Sequence, residues 1–82
     1  RLSSDKIVFG ASVNLYVVDN GEEKCLTLVG QDEIDLKNGK ISIHSPVGKA
    51  LIGRRVGEVV KVTTPVKVIE YEVINIFFKN EG

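Results

Sequence analysis

The sequence predicts an α+β domain, a curved antiparallel sheet of four to five strands packed on one short helix at about Pro46–Ile52. Two observations carry that prediction. Runs rich in β-branched and aromatic residues, several of them alternating apolar and polar, recur along the chain and are separated by Asn-Gly turns. One stretch, Ile43–Gly53, breaks the pattern and carries helix start and stop signals. A helix of about two turns is marginal alone in water, so it must lie on something, and the strands supply an apolar face for it.

In chain order, residues 1–6 are polar and read as the end of a linker. Ile7–Val18 is a strand, with Val13, Leu15 and Val17 alternating against Ser12, Asn14 and Tyr16. Gly10 within it points to a bulge or a close backbone approach. Asp19-Asn20-Gly21-Glu22 is a hairpin turn, because Gly supplies the positive φ that such a turn needs. Lys24–Val29 returns as the second strand. The acidic segment Gly30–Leu36 lacks clean alternation and reads as a loop with a helical turn, tied down by Ile34 and Leu36. Asn38-Gly39 turns the chain again, and Lys40–Ile43 is a short strand.

The helix follows directly. Ser45 is placed to cap it, its hydroxyl accepting from an orphan first-turn amide. Pro46 falls at the first helical position, where a missing N–H costs nothing. Val47, Ala50 and Leu51 share one face, Lys49 lies on the other, and Gly53 closes the helix. Glu58–Thr64 is strand-like and Pro65 ends it. Val68–Phe78 is the longest strand. Its apolar positions change parity, from Ile69, Tyr71 and Val73 to Ile74, Ile76 and Phe78. Either both faces are covered near its end, or a bulge shifts the register. Residues 80–82 read as a frayed terminus, leaving 7–79 as the folded domain.

At 82 residues, the chain can hold one small core. Cys25 is the one cysteine, which excludes a disulfide staple and the usual zinc ribbons and fits a reducing, cytoplasmic setting. No run is long and apolar enough to span a membrane, and there is no signal-peptide pattern. Eleven basic and eleven acidic residues balance, which argues against tight or sequence-specific nucleic-acid binding. They are segregated, however: residues 19–35 carry six acids against Lys24, and residues 37–67 carry seven bases against Glu58. Such a polar arrangement either orients the molecule on a charged partner or forms two solvated rims. The absence of Met, with Arg1 at the start, suggests a piece of a longer protein.

No residue set points to catalysis, a cofactor or a metal. His44 is the only histidine and has no Cys or His cluster around it. His44 and Ser45 are adjacent at a strand end, where side chains point apart, and Ser45 is better used as a cap. Glu70 and Glu72 are expected on the wet face of their strand. Asp32, Glu33 and Asp35 lack the ligand spacing of a cation loop. The aromatics Phe9, Tyr16, Tyr71, Phe77 and Phe78 are spread among strands and are expected to pack in the core rather than stack bases. On residue chemistry alone the chain reads as a small binding module.

The segments Val8-Phe9-Gly10, Leu28–Asp35, Asn38–Gly53 and Glu70–Val73 follow one another at the spacing found in one family. Together they resemble the C-terminal domain of the bacterial GreA/GreB transcript-cleavage factors, most like the GreA type, over about Ile7–Phe78. The resemblance implies an FKBP-like fold. It also implies a role in transcription elongation: docking on RNA polymerase at the rim of the secondary channel, on the coiled coil of the β′ subunit. An N-terminal coiled coil, absent from this chain, would carry the acidic residues that help hold the catalytic magnesium, so this domain has no cofactor and is not itself an enzyme. By direct match Ser45 and Pro46 inherit the polymerase contact, with His44, Val47 and Lys49 beside them and Asp32 and Glu33 as weaker contacts. Two positions depart from the family pattern. His44 stands where Asn or Asp is usual, which opens a pH-sensitive hydrogen bond there, and Val66-Lys67 replaces a Gly pair, which implies a longer turn or one of another type. Two alternatives accompany this reading: a relative that inhibits or regulates polymerase from the same site, and a peptidyl-prolyl isomerase. The isomerase lacks support because Trp is absent and the helix start carries no aromatic floor.

Overall fold

The computed structural model describes residues 6–79. Strands β1 (Ser12–Val17), β2 (Glu23–Val29), β3 (Lys40–Ser42), β4 (Val59–Thr63) and β5 (Val68–Phe77) form one curled sheet in the order β3-β2-β1-β5-β4, and the helix α1 (Pro46–Leu51) sits between β3 and β4 in the chain. The expected alternation sets the inner face. Val13 and Leu15 of β1, Val60 and Val62 of β4 and Val73 of β5 are all buried, and α1 adds Leu51 with no exposure at all. Burying a leucine this fully contributes about 1.5–3 kcal/mol, which is what holds so short a helix down.

The parity change in the last strand is a bulge. Asn75 pairs with Asn14 and Val73 with Leu15, so Ile74 is left over. That extra residue, 47% exposed, returns Ile76 to the inner face, where it is buried.

Four features differ from the expectation. First, the sheet is mixed, because β3 runs parallel to β2, with Leu28 opposite Ile41. Residues 30–39 run back along β2 through two 3-10 turns, Gln31–Glu33 and Leu36–Asn38, before Gly39 reverses the chain at φ 76°. Its backbone there passes so close to Cys25 that a Cβ would lie 2.7 Å from the Cys25 carbonyl oxygen. Second, β1 starts at Ser12, because Gly10 takes φ 87° in a turn whose Ala11 N–H donates to Val8 O. Third, the helix is one residue shorter, ending at Leu51 with Ile52 as its C-cap, although Gly53 takes the expected left-handed conformation after it. Fourth, Tyr71 is the one aromatic in the buried core; Phe9, Tyr16 and Phe78 are exposed and Phe77 is half-buried. The valine-rich strands fill the interior without them.

The β4–β5 hairpin stays short. Thr64 N–H donates to Lys67 O at 2.8 Å, and the Thr64 hydroxyl accepts from the amides of Val66 and Lys67. A threonine side chain thus supplies the acceptor that lets the turn close without glycine. Of the expected linker, residues 1–5 lie outside the described residues, while Lys6 forms an antiparallel bridge with Arg55. The expected frayed end, residues 80–82, also lies outside them.

Candidate functional site

The corner between β3 and α1 is held by four hydrogen bonds within residues 42–48. Ser42, at the end of β3 and 8% exposed, is its hub. Its hydroxyl accepts from the His44 amide at 2.9 Å. Its carbonyl accepts twice, from the Ser45 amide at 3.0 Å and from the Ser45 hydroxyl at 2.7 Å. The Ser45 hydroxyl in turn accepts from Gly48 N–H at 3.0 Å, which is the predicted N-cap. Both the proton and a lone pair of Ser45 are therefore committed to the backbone. The side chain is a clasp.

Gly48 explains how tightly the corner is drawn. A Cβ there would lie 2.2 Å from Ser42 O and 2.9 Å from the Ile43 Cα. The first turn of α1 thus packs backbone against backbone on the end of β3, which only glycine permits. At the other end, Glu58 accepts from the Arg55 amide at 2.9 Å and pairs with the Arg54 guanidinium at 3.3 Å, while Arg54 Nε donates to Ala50 O. The pair is exposed and adds little to stability, but it fixes the path out of the helix.

Held this way, the corner presents His44, Pro46 and Lys49 to solvent, with Ser45 and Val47 half-buried. Beside it lies an apolar hollow of about 440 Å³, lined by Leu26, Ile34, Leu36, Ile41, Val47 and Tyr71, with Lys24, Ser42 and Ser45 completing its wall. Leu36 is 75% exposed and Ile34 42%, so the two residues expected to pin their loop instead stand at the rim of this hollow. Asp32 and Glu33 are not part of it. They are exposed on their 3-10 turn and line a separate polar hollow with Asp35, Lys40 and Lys79; Ile34 borders both. Among the described residues no group of His, Cys, Asp and Glu is arranged to hold a metal ion.

Sequence reasoning found the clasp and the exposed proline. It missed Gly48, whose role depends on the approach of helix to strand, it missed Ser42, whose bonds to His44 and Ser45 form a local turn, and it missed the hollow, which β2, β3, α1, β5 and the 31–38 loop assemble together. The one local signal for Gly48 was a glycine inside a helix, which carries a cost of about 1 kcal/mol relative to alanine and calls for a packing reason.

Comparison with known proteins gives a consistent result. The family model described as "Transcription elongation factor, GreA/GreB, C-term" matches residues 2–77. The factor named transcription elongation factor GreA from Thermodesulfovibrio yellowstonii is 53% identical over 79 residues, which is 96% of this chain and 50% of that protein. The protein of the same name from Syntrophotalea carbinolica is 53% identical over 75 residues, covering 92% and 48%. Among solved structures, the GreA factor homolog 1 protein of Thermus thermophilus aligns with TM-score 0.77 at 36% identity, over 90% of this chain and 49% of that one. The elongation factor GreA/GreB from Nitrosomonas europaea aligns with TM-score 0.79 at 29% identity, over 95% and 65%. The chain spans about half the length of the curated relatives it matches.

Proposed function

Because this chain belongs to the GreA/GreB family of transcription elongation factors, matching that family's C-terminal domain, we propose that it is a docking module for bacterial RNA polymerase. It grips the rim of the secondary channel, on the coiled coil of the β′ subunit. In that position a coiled-coil partner domain stimulates the polymerase's own cleavage of backtracked RNA. The chain itself performs no chemistry, takes no cofactor and acts in the cytoplasm.

The observation that supports this best is the pairing of a rigid, exposed Pro46 with an adjacent apolar hollow. A proline fixed by the Ser42–Ser45–Gly48 bonds loses little freedom on binding, so its contact energy is not offset by ordering. An apolar side chain of the partner that fills the hollow beside Val47 and Leu36 gains about 1.5–3 kcal/mol. Lys49, three residues on from Pro46, is exposed as well. The alternative of a relative that docks without promoting cleavage has less in its favour, since the relatives at 53% identity carry the name of elongation factors.

The test is the Pro46→Asp variant. An acid at the first helical position is compatible with the helix dipole, so the domain stays folded. A charge placed in the contact is expected to weaken binding to core polymerase by about tenfold or more, equal to about 1.4 kcal/mol. A folded variant that binds as well as wild type refutes the assignment.

A further inference from the structure

We propose that Ser42 is a positioning residue for polymerase docking, which rests on the docking function above: from the wall of the apolar hollow, its hydroxyl turned to the backbone, it holds the His44–Pro46 turn in its binding shape. The hydrogen bonds of the corner are unevenly shared. Capping α1 requires only the Ser45 hydroxyl and the Gly48 amide, 3.0 Å apart. The corner has three further hydrogen bonds, all converging on Ser42: the His44 amide on its hydroxyl, and the Ser45 amide and hydroxyl on its carbonyl. The first of these adds nothing to the helix cap. It fixes the residue on which the exposed proline pivots.

Burial separates the roles. Ser42 is 8% exposed, while His44 and Pro46 face solvent and Ser45 is half-buried. A partner meets the latter residues directly, whereas the Ser42 hydroxyl is already engaged by the His44 amide. Above it the backbone has little room to relax inward, since even a Cβ added to Gly48 would collide with Ser42 O and Ile43 Cα. When the hydroxyl is removed, the His44 amide loses its acceptor beneath a turn that has more room outward than inward. The competent shape then becomes one of several. A partner that binds only that shape sees a lower effective concentration of it, and the apparent affinity falls by the populated fraction.

This gives a kinetic signature that a contact residue does not share. For Ser42→Ala, binding of the chain to bacterial core RNA polymerase should lose about fivefold in association rate, the equivalent of one net hydrogen bond, with the dissociation rate unchanged. Pro46→Asp should instead act mainly through faster dissociation. In parallel, hydrogen exchange at the His44 amide should be slowed in the wild-type chain and released in Ser42→Ala, with the amides of β1 and β5 unaffected. Unchanged association by Ser42→Ala, or a loss confined to dissociation, overturns the positioning role and leaves docking intact. A wild-type His44 amide that exchanges at the unprotected rate overturns it as well, whether or not the variant folds. Failure of the wild-type chain to bind polymerase overturns the docking function itself.

Discussion

Substituting Gly48 by Ala puts the most weight on the backbone contact at the corner. In an ordinary helix this change stabilises by up to about 1 kcal/mol. Here the new methyl would lie 2.2 Å from Ser42 O and 2.9 Å from the Ile43 Cα. Carbon contacts are comfortable at about 3.5–4.0 Å, so α1 must move by roughly 1 Å or more. Both obstructing atoms belong to the backbone, and no rotamer change relieves them. The shift strains the Ser45–Gly48 cap bond and lifts Leu51 from a fully buried seat. Overpacking costs of about 1–3 kcal/mol combine with a damaged cap to give a net loss of about 2–3 kcal/mol. At about 4–8 °C per kcal/mol for a domain of this size, Tm should fall by roughly 8–24 °C. Urea denaturation followed by circular dichroism reads the change directly, with the midpoint moving and the slope constant. A Gly48→Ala chain as stable as wild type, or more so, would show that α1 is not seated against β3 as described.

Ser45→Ala removes both the acceptor for Gly48 N–H and one of the donors to Ser42 O, and should cost about 1 kcal/mol by the same denaturation assay. Gly39→Ala forces a side chain into the left-handed region at φ 76° and against the Cys25 carbonyl, and should lose at least about 1–2 kcal/mol. Its damage should centre on the β3 edge, seen as faster amide exchange at Thr27, whose N–H donates to Gly39 O.

The parts of this fold that were legible in the sequence are those written in local rules. Ser45 and Pro46 announced the helix start because capping and proline geometry act within one turn. Val13, Leu15 and Val17 announced the buried face of β1 through strict alternation. The bulge at Ile74 was visible as a break in parity, although only pairing with β1 could distinguish it from a strand covered on both faces. The direction of β3 was not legible. Three residues carry too little pattern, and parallel pairing depends on how the 30–39 connection folds back across β2. The exposed aromatics were misjudged for a related reason: residue type favours burial, but the small valine core was already full. At the corner, the sequence displayed the exposed proline and concealed the Gly48 approach, which exists only once helix and strand meet; the Ser42 bonds to His44 and Ser45 span three residues at most and were overlooked as a local turn.

Docking through the Pro46 corner is the central claim, and a hydrogen-exchange footprint tests it most directly. Adding bacterial core RNA polymerase to the wild-type chain should slow exchange in residues 43–49 and in the 34–41 rim of the apolar hollow, while the β4–β5 hairpin around Thr64 exchanges as before. Protection centred on that hairpin, or on the outer face of the sheet, with the corner unchanged would contradict the account.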